Sequence, residues 1–178
     1  MLCRRDRTLQ FREGRLPLNV TAEEYVTQIK ADLGEAWLGQ IYRRVLKGRT
    51  RSFHFPNSQP KAKIEIHHTL LGVELKIGKR RLLCPDLATA RYLAVFARLG
   101  TPDVALPYDI TRVSYFADEL ESAWHRMLLL AENFAADASQ KFRSRTRGLL
   151  IAKLRAEIVA AGPGTARPHF RQATKQRV

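Results

Sequence analysis

The chain has 178 residues, with 31 Lys and Arg against 17 Asp and Glu and a formal charge of +14; its sequence pI is near 10.5. A hydrophobic fraction of 45% beside a charged fraction of 27% supplies enough apolar material for a packed core, which excludes a disordered chain and a purely basic tail. The apolar runs around Met127 to Ala131 and Leu149 to Ala152 fall far short of a bilayer span, and the start MLCRRDRTLQF lacks the apolar stretch of a signal peptide. The expectation is a cytoplasmic or nucleoid-associated protein with no membrane attachment. Cys3 and Cys84 are isolated, with no C-x-x-C spacing, and read as two reduced thiols.

In chain order, residues 8 to 18 (TLQFREGRLPL) fit a small hairpin turning at Glu13-Gly14, with Pro17 confining its second arm to an edge. Thr21 followed by Glu24 is a capping box, so a helix begins there. Val26, Ile29, Leu33, Trp37, Ile41 and Val45 recur every three or four residues up to about Lys47, an amphipathic segment that Gly34 and Gly39 weaken and divide. Between residues 51 and 84 the period becomes 2. A turn at Leu71-Gly72 pairs Glu65 with Gly78 and His67 with Lys76, which puts Ile64, Ile66, Val73, Leu75 and Ile77 on a core face. Lys63, Glu65, His67, Glu74 and Lys76 fall on the opposite face. A second turn at Gly78-Lys79 returns a strand to Cys84 and adds Arg81 to the polar side, and RSFHF supplies a further strand before Pro56.

Asp86 as N-cap and Gly100 as left-handed stop bound a helix that is apolar around most of its circumference and therefore buried. A short strand, Val104 to Leu106, precedes a helical stretch opening near Asp109 or Thr111 with no Gly or Pro before Gly148. Along it Phe116, Leu120, Trp124, Met127, Ala131, Phe134 and Ala138 form a heptad-like stripe, which packs on the chain's own core or, in the rival reading, forms a homodimer or an adaptor surface. Leu150, Leu154 and Ile158 mark a last helix from Leu149 to Ala161. Gly162-Pro163-Gly164 ends it ahead of a disordered basic tail, residues 162 to 178. The fold class expected is α+β: one domain over residues 1 to 161, with a small antiparallel sheet at about 51 to 84 packed on helices and a long C-terminal helical pair.

The positive charge is clustered. Residues 42 to 63 hold Arg43, Arg44, Lys47, Arg49, Arg51, Lys61 and Lys63 without one acid, and residues 141 to 147 hold Lys141, Arg143, Arg145 and Arg147 around Phe142. The tail adds Arg167, Arg171, Lys175 and Arg177. Polyanions are the natural partner, and Arg suits bidentate phosphate contact. Interleaved Phe53, Phe55, Phe142 and Phe170 are positioned in sequence to stack on unpaired bases. With no zinc-finger spacing, basic zipper or Gly-aromatic strand motif, the expectation is backbone-dominated binding of DNA or RNA, alone or as an accessory subunit of a processing assembly. An acidic protein partner is the second class that +14 admits.

One constellation carries candidate chemistry. Glu65, Glu74 and Lys76 place two carboxylates and an ammonium on one strand face, a set able to hold Mg²⁺ and to stabilise charge on a phosphate. The order helix, strands, acid, Glu-x-Lys, helix, strand resembles the core of the PD-(D/E)XK nuclease superfamily over about residues 21 to 106. That resemblance implies a metal-dependent nuclease with Mg²⁺ as its cofactor; the sequence departs from the pattern in using Glu65 where Asp is usual and in lacking a preceding Pro-Asp pair. The expectation, with the nuclease as its alternative, is a solvated face laced by cross-strand ion pairs, with no catalytic residue, no metal and no cofactor. His67 and His68 alternate in direction along a strand, so they do not share a metal. Gly72 to Arg80 lacks the spacing and the Ser/Thr of a phosphate-binding loop.

Overall fold

The computed structural model describes residues 21–55 and 63–164. The expected hairpin at 8 to 18, Lys61, Cys3 and the tail beyond residue 164 lie outside the described residues. Within them the fold is α+β, with two small antiparallel sheets and five helices. No described helix is long and apolar enough to cross a membrane.

The first helix, α1 (Ala22–Leu33), begins at the capping box: the Thr21 amide donates to Glu24 Oε2 at 2.8 Å and the Glu24 amide to Thr21 Oγ1 at 3.3 Å. Gly34, at φ 49°, stops it, because that backbone conformation is strained for a residue with a Cβ. A single 3₁₀ turn and an extended Trp37 then lead into α2 (Leu38–Leu46). Gly39, expected as a break, lies inside α2. A Cβ there would stand 2.6 Å from Glu157 Oε2 and 2.9 Å from Trp37 Nε1, so this glycine serves close packing.

The strand β1 (Thr50–His54) does not join the hairpin that follows it. It pairs antiparallel with β5 (Asp103–Pro107), while β2 (Ile64–Thr69), β3 (Gly72–Ile77) and β4 (Arg80–Cys84) form a separate three-stranded sheet. The expected sheet at 51 to 84 is thus divided between two. The first hairpin turns at Leu70-Leu71, one residue earlier than expected, so Glu65 faces Lys76 and His67 faces Glu74. Each pairing moves by two residues, which preserves the parity of the strand and hence both faces. Leu75 is fully buried, and Ile64, Ile66, Val73 and Ile77 pack around it. Gly78-Lys79 is the second turn, with Ile77 opposite Arg80.

Asp86 caps α3 (Leu87–Leu99) by accepting from the Thr89 amide at 2.7 Å, and Gly100 closes it at φ 69°. Nine residues of α3 are buried. Next comes α4 (Ile110–Phe134), capped by Asp109, and then α5 (Gln140–Ala161), capped by Ser139. The division falls at residues 135 to 139, not at Gly148, which sits inside α5. Ser139 accepts from the Phe142 amide at 3.3 Å and so supplies a start that required neither Gly nor Pro. The stripe from Phe116 to Ala131 is buried in the chain's own core beside Leu150, Leu154 and Ile158 of α5. Phe134 packs half-buried against the same core, so packing within the chain accounts for these stripe residues.

Two phenols tie these layers together. The Ala105 amide donates to the Tyr42 hydroxyl at 2.9 Å, that hydroxyl donates to the Gly162 carbonyl at 2.7 Å, and Tyr92 donates to the Ala105 carbonyl at 2.5 Å. Both rings are fully buried, and burial raises both pKa values. Tyr92→Phe strands one buried carbonyl and is expected to cost about 1–3 kcal/mol in urea unfolding. Tyr42→Phe strands a buried amide and a second carbonyl, and costs more than Tyr92→Phe. Gly148, with nothing within 4 Å of an added Cβ, is expected to stabilise the chain by about 0.5–1 kcal/mol as Gly148→Ala in the same measurement.

Candidate nucleic-acid interface

Several acids among the described residues are committed to neighbouring cations. Glu119 pairs with Arg44 at 3.1 Å, Asp118 and Glu121 with Arg91, and Glu157 with Lys30 at 2.5 Å while also accepting from the Trp37 indole at 2.7 Å. On the polar face of the β2–β3–β4 sheet, Glu65 receives Lys63 at 2.6 Å, Lys76 at 3.0 Å and His67 at 3.5 Å, and Glu74 receives Arg81 at 3.5 Å. Of the expected phosphate contacts, Arg44 and Lys63 thus each hold a carboxylate, with 41% and 81% of their side chains exposed. Arg49 rests over the ring of Tyr108.

Arg43, Lys47, Lys141, Arg143, Arg145 and Arg147 are exposed, and Arg51 is half-buried; none is ion-paired with another described residue. The last four do not belong to a connector. They occupy the first two turns of α5, where at 3.6 residues per turn Lys141 and Arg145 share one side and Arg143 and Arg147 the other. Arg43 and Lys47 flank the end of α2, and Arg51 opens β1. The two groups stand at opposite ends of α5: Tyr42 binds Gly162 beyond its C-terminus, and a Cβ on Gly164 would meet Thr50. Seventeen residues separate Arg145 from Gly162, which at 1.5 Å per residue is about 25 Å. The clusters thus form two patches rather than one.

The aromatic residues interleaved with them face inward. Phe55 is buried against Phe53, and Phe142 packs edge-on to Tyr25 with ring centroids 5.4 Å apart. Of the three expected to stack on bases, Phe55 is buried in the core, while Phe53 and Phe142 are half-buried against Phe55 and Tyr25. Between α1 and α2 runs a groove of about 770 Å³ bearing Lys30, Arg44 and Lys47; across Arg44 and Glu35 it meets a depression of about 410 Å³ edged by Arg126. Arg126, Lys79 and Arg80 are further exposed cations: Lys79 and Arg80 adjoin Arg81 in one acid-free run, and Arg126 stands alone on α4 beside His125.

Glu65, Glu74 and Lys76 do share one face. The main attraction on each carboxylate comes from the adjacent cations, and among the described residues no group of three His, Cys, Asp or Glu is arranged to hold a metal ion. Hydrogen bonds from Lys63 and then Lys76 hold the Glu65 carboxyl down from 4.5 to about 2. Because the folded value is the lower one, ionised Glu65 contributes stability that is present above pH 4.5 and lost as pH falls toward 2. A carboxyl-detected NMR titration is expected to give a midpoint near 2 for Glu65, moving upward in Lys63→Ala and in Lys76→Ala; an unmoved midpoint contradicts the ion-pair cause.

A comparison of the chain with protein-family models, with curated proteins and with solved structures gives no match.

Proposed function

We propose that the protein binds DNA or RNA through the phosphate backbone, as an accessory component of a nucleic-acid-processing assembly. The observation that carries this reading is that the cations of α5's first two turns and of the α2–β1 junction stay outside the ion pairs of the described residues, while Asp118, Glu119, Glu121 and Glu157 are held by other cations of the chain. Lys141 and Arg143 also stand in the first turn of a helix, where the dipole opposes positive charge by about 0.3–1 kcal/mol each. Such an arrangement is unfavourable for folding alone and favourable for an anionic partner. The two basic patches do not converge on one site, which counts against a single compact interface; about 25 Å apart, they can reach only phosphates about seven base-pair steps from one another at 3.4 Å per step. The contacts in this reading are to phosphate and sugar, and sequence preference is weak; the exposed ring of Tyr108 beside Arg49 is the nearest surface on which an unpaired base could stack.

The test is fluorescence anisotropy with labelled duplex and single-stranded oligonucleotides between 50 and 200 mM salt. Affinity is expected to fall steeply with salt, and the triple variant Arg143→Ala, Arg145→Ala, Arg147→Ala to lower the log–log slope by about 2–3 for duplex DNA, near 0.9 per phosphate contact. An affinity independent of salt, or an unchanged slope in the triple variant, overturns the assignment.

A further inference from the structure

The two sheets present open edges to one another. In the first, the bonds from the Tyr108 amide to the Arg49 carbonyl (3.2 Å) and from the Phe55 amide to the Pro102 carbonyl (2.8 Å) set the phase of the β1–β5 ladder. Arg51 and Phe53 therefore bond toward β5, and the Ser52 amide and carbonyl point outward. The opposite edge of this sheet is closed, because the outward groups of Ala105 are taken by Tyr42 and Tyr92. In the second sheet, the Gly78 amide donates to the Lys63 carbonyl at 2.9 Å, which sets the β2–β3 phase and with it the β3–β4 phase. Arg81 and Leu83 are left with their backbone groups pointing away from β3.

These edges line one cleft of about 570 Å³, with Thr89 and Leu93 of α3 and Leu106 of β5 among its lining residues. Leu83, at 60% exposure, stands at its rim. We propose that this cleft receives an extended segment of a partner protein in which apolar and acidic residues alternate, joining the two sheets into a single one across α3.

The chemistry of the cleft selects that occupant. Facing strand edges offer alternating N–H donors and C=O acceptors, which a peptide backbone satisfies on both sides, whereas a phosphodiester backbone brings acceptors alone. Side chains directed at α3 meet Thr89 and Leu93 and must be apolar. Those on the other face meet positive charge: among the described residues no carboxylate lines the cleft, Arg51 does, and Arg81, paired with Glu74, stands exposed on the polar face of β4. A basic segment is repelled, and an acidic one is drawn in.

The test is selection of short random peptides displayed on phage against the full chain, followed by anisotropy with the enriched sequences as labelled peptides. Enrichment of sequences alternating apolar residues with Asp or Glu is expected. Ser52→Pro and Leu83→Pro each remove an outward N–H without touching a ladder bond, and each is expected to weaken binding about tenfold or more while oligonucleotide affinity is unchanged. N-methylation of alternate peptide amides reports the same edge pairing even where a proline variant does not fold. No enrichment, enrichment of basic peptides, or affinities indifferent to both the prolines and the N-methyl groups overturns the proposal. Loss of oligonucleotide binding belongs to the separate nucleic-acid reading and is scored apart from it.

Discussion

The hydroxyl of Tyr42 is the point on which the arrangement of layers depends. It accepts from the amide of Ala105 and donates to the carbonyl of Gly162, so one side chain of α2 joins β5 to the end of α5. Tyr92 of α3 completes the set at the Ala105 carbonyl. The consequence is geometric as well as energetic. A strand buried on its outer edge has polar groups that water cannot reach, and each such group left unpaired costs on the order of 1–3 kcal/mol. Two phenols satisfy both groups of Ala105, which lets β5 lie inside the protein and leaves β1 as the open edge of its sheet.

From that constraint follows the placement of charge. With α5 held to α2 at its C-terminal end, Glu157 reaches Lys30 and Trp37, and the start of α5 is carried to the far end of α1, where Phe142 meets Tyr25. The four cations of residues 141 to 147 are thereby moved away from every acid that the core elements use for pairing. Arg44, by contrast, lies along α4 and is held by Glu119. The same residue type in the same acid-free run thus has opposite fates, decided by which helix packs beside it. Paired cations of this sort contribute little to stability at a surface, and the unpaired cationic surface is smaller and more divided than the net charge of +14 suggests.

Much of the local structure was legible from residue order. The capping box at Thr21 and Glu24, the Asp86 cap, the left-handed Gly100 and the Gly78-Lys79 turn act through hydrogen bonds or dihedral angles spanning a few residues, and each is found where its motif stands. The core and polar faces of the β2–β3 hairpin survived even a displaced turn, because alternation depends only on parity. The candidate interface was less legible. The clusters were visible as runs, but the pairing of Arg44 with Glu119, 75 residues away, and the packing of Phe142 on Tyr25 depend on contacts between elements distant in sequence.

The sequence by itself determined the α+β class, the caps, the strand faces and the apolar stripes, since these rest on periods of 2 and 3.6 and on short-range backbone chemistry. Only the tertiary structure decided that β1 leaves its sequence neighbour for β5, that the long helical stretch divides at Ser139, which cations remain solvated and which strand edges stay open. Those choices are made between elements distant in sequence, where the burial of Ala105 and the competition of Arg and Lys for a limited number of carboxylates outweigh any local preference.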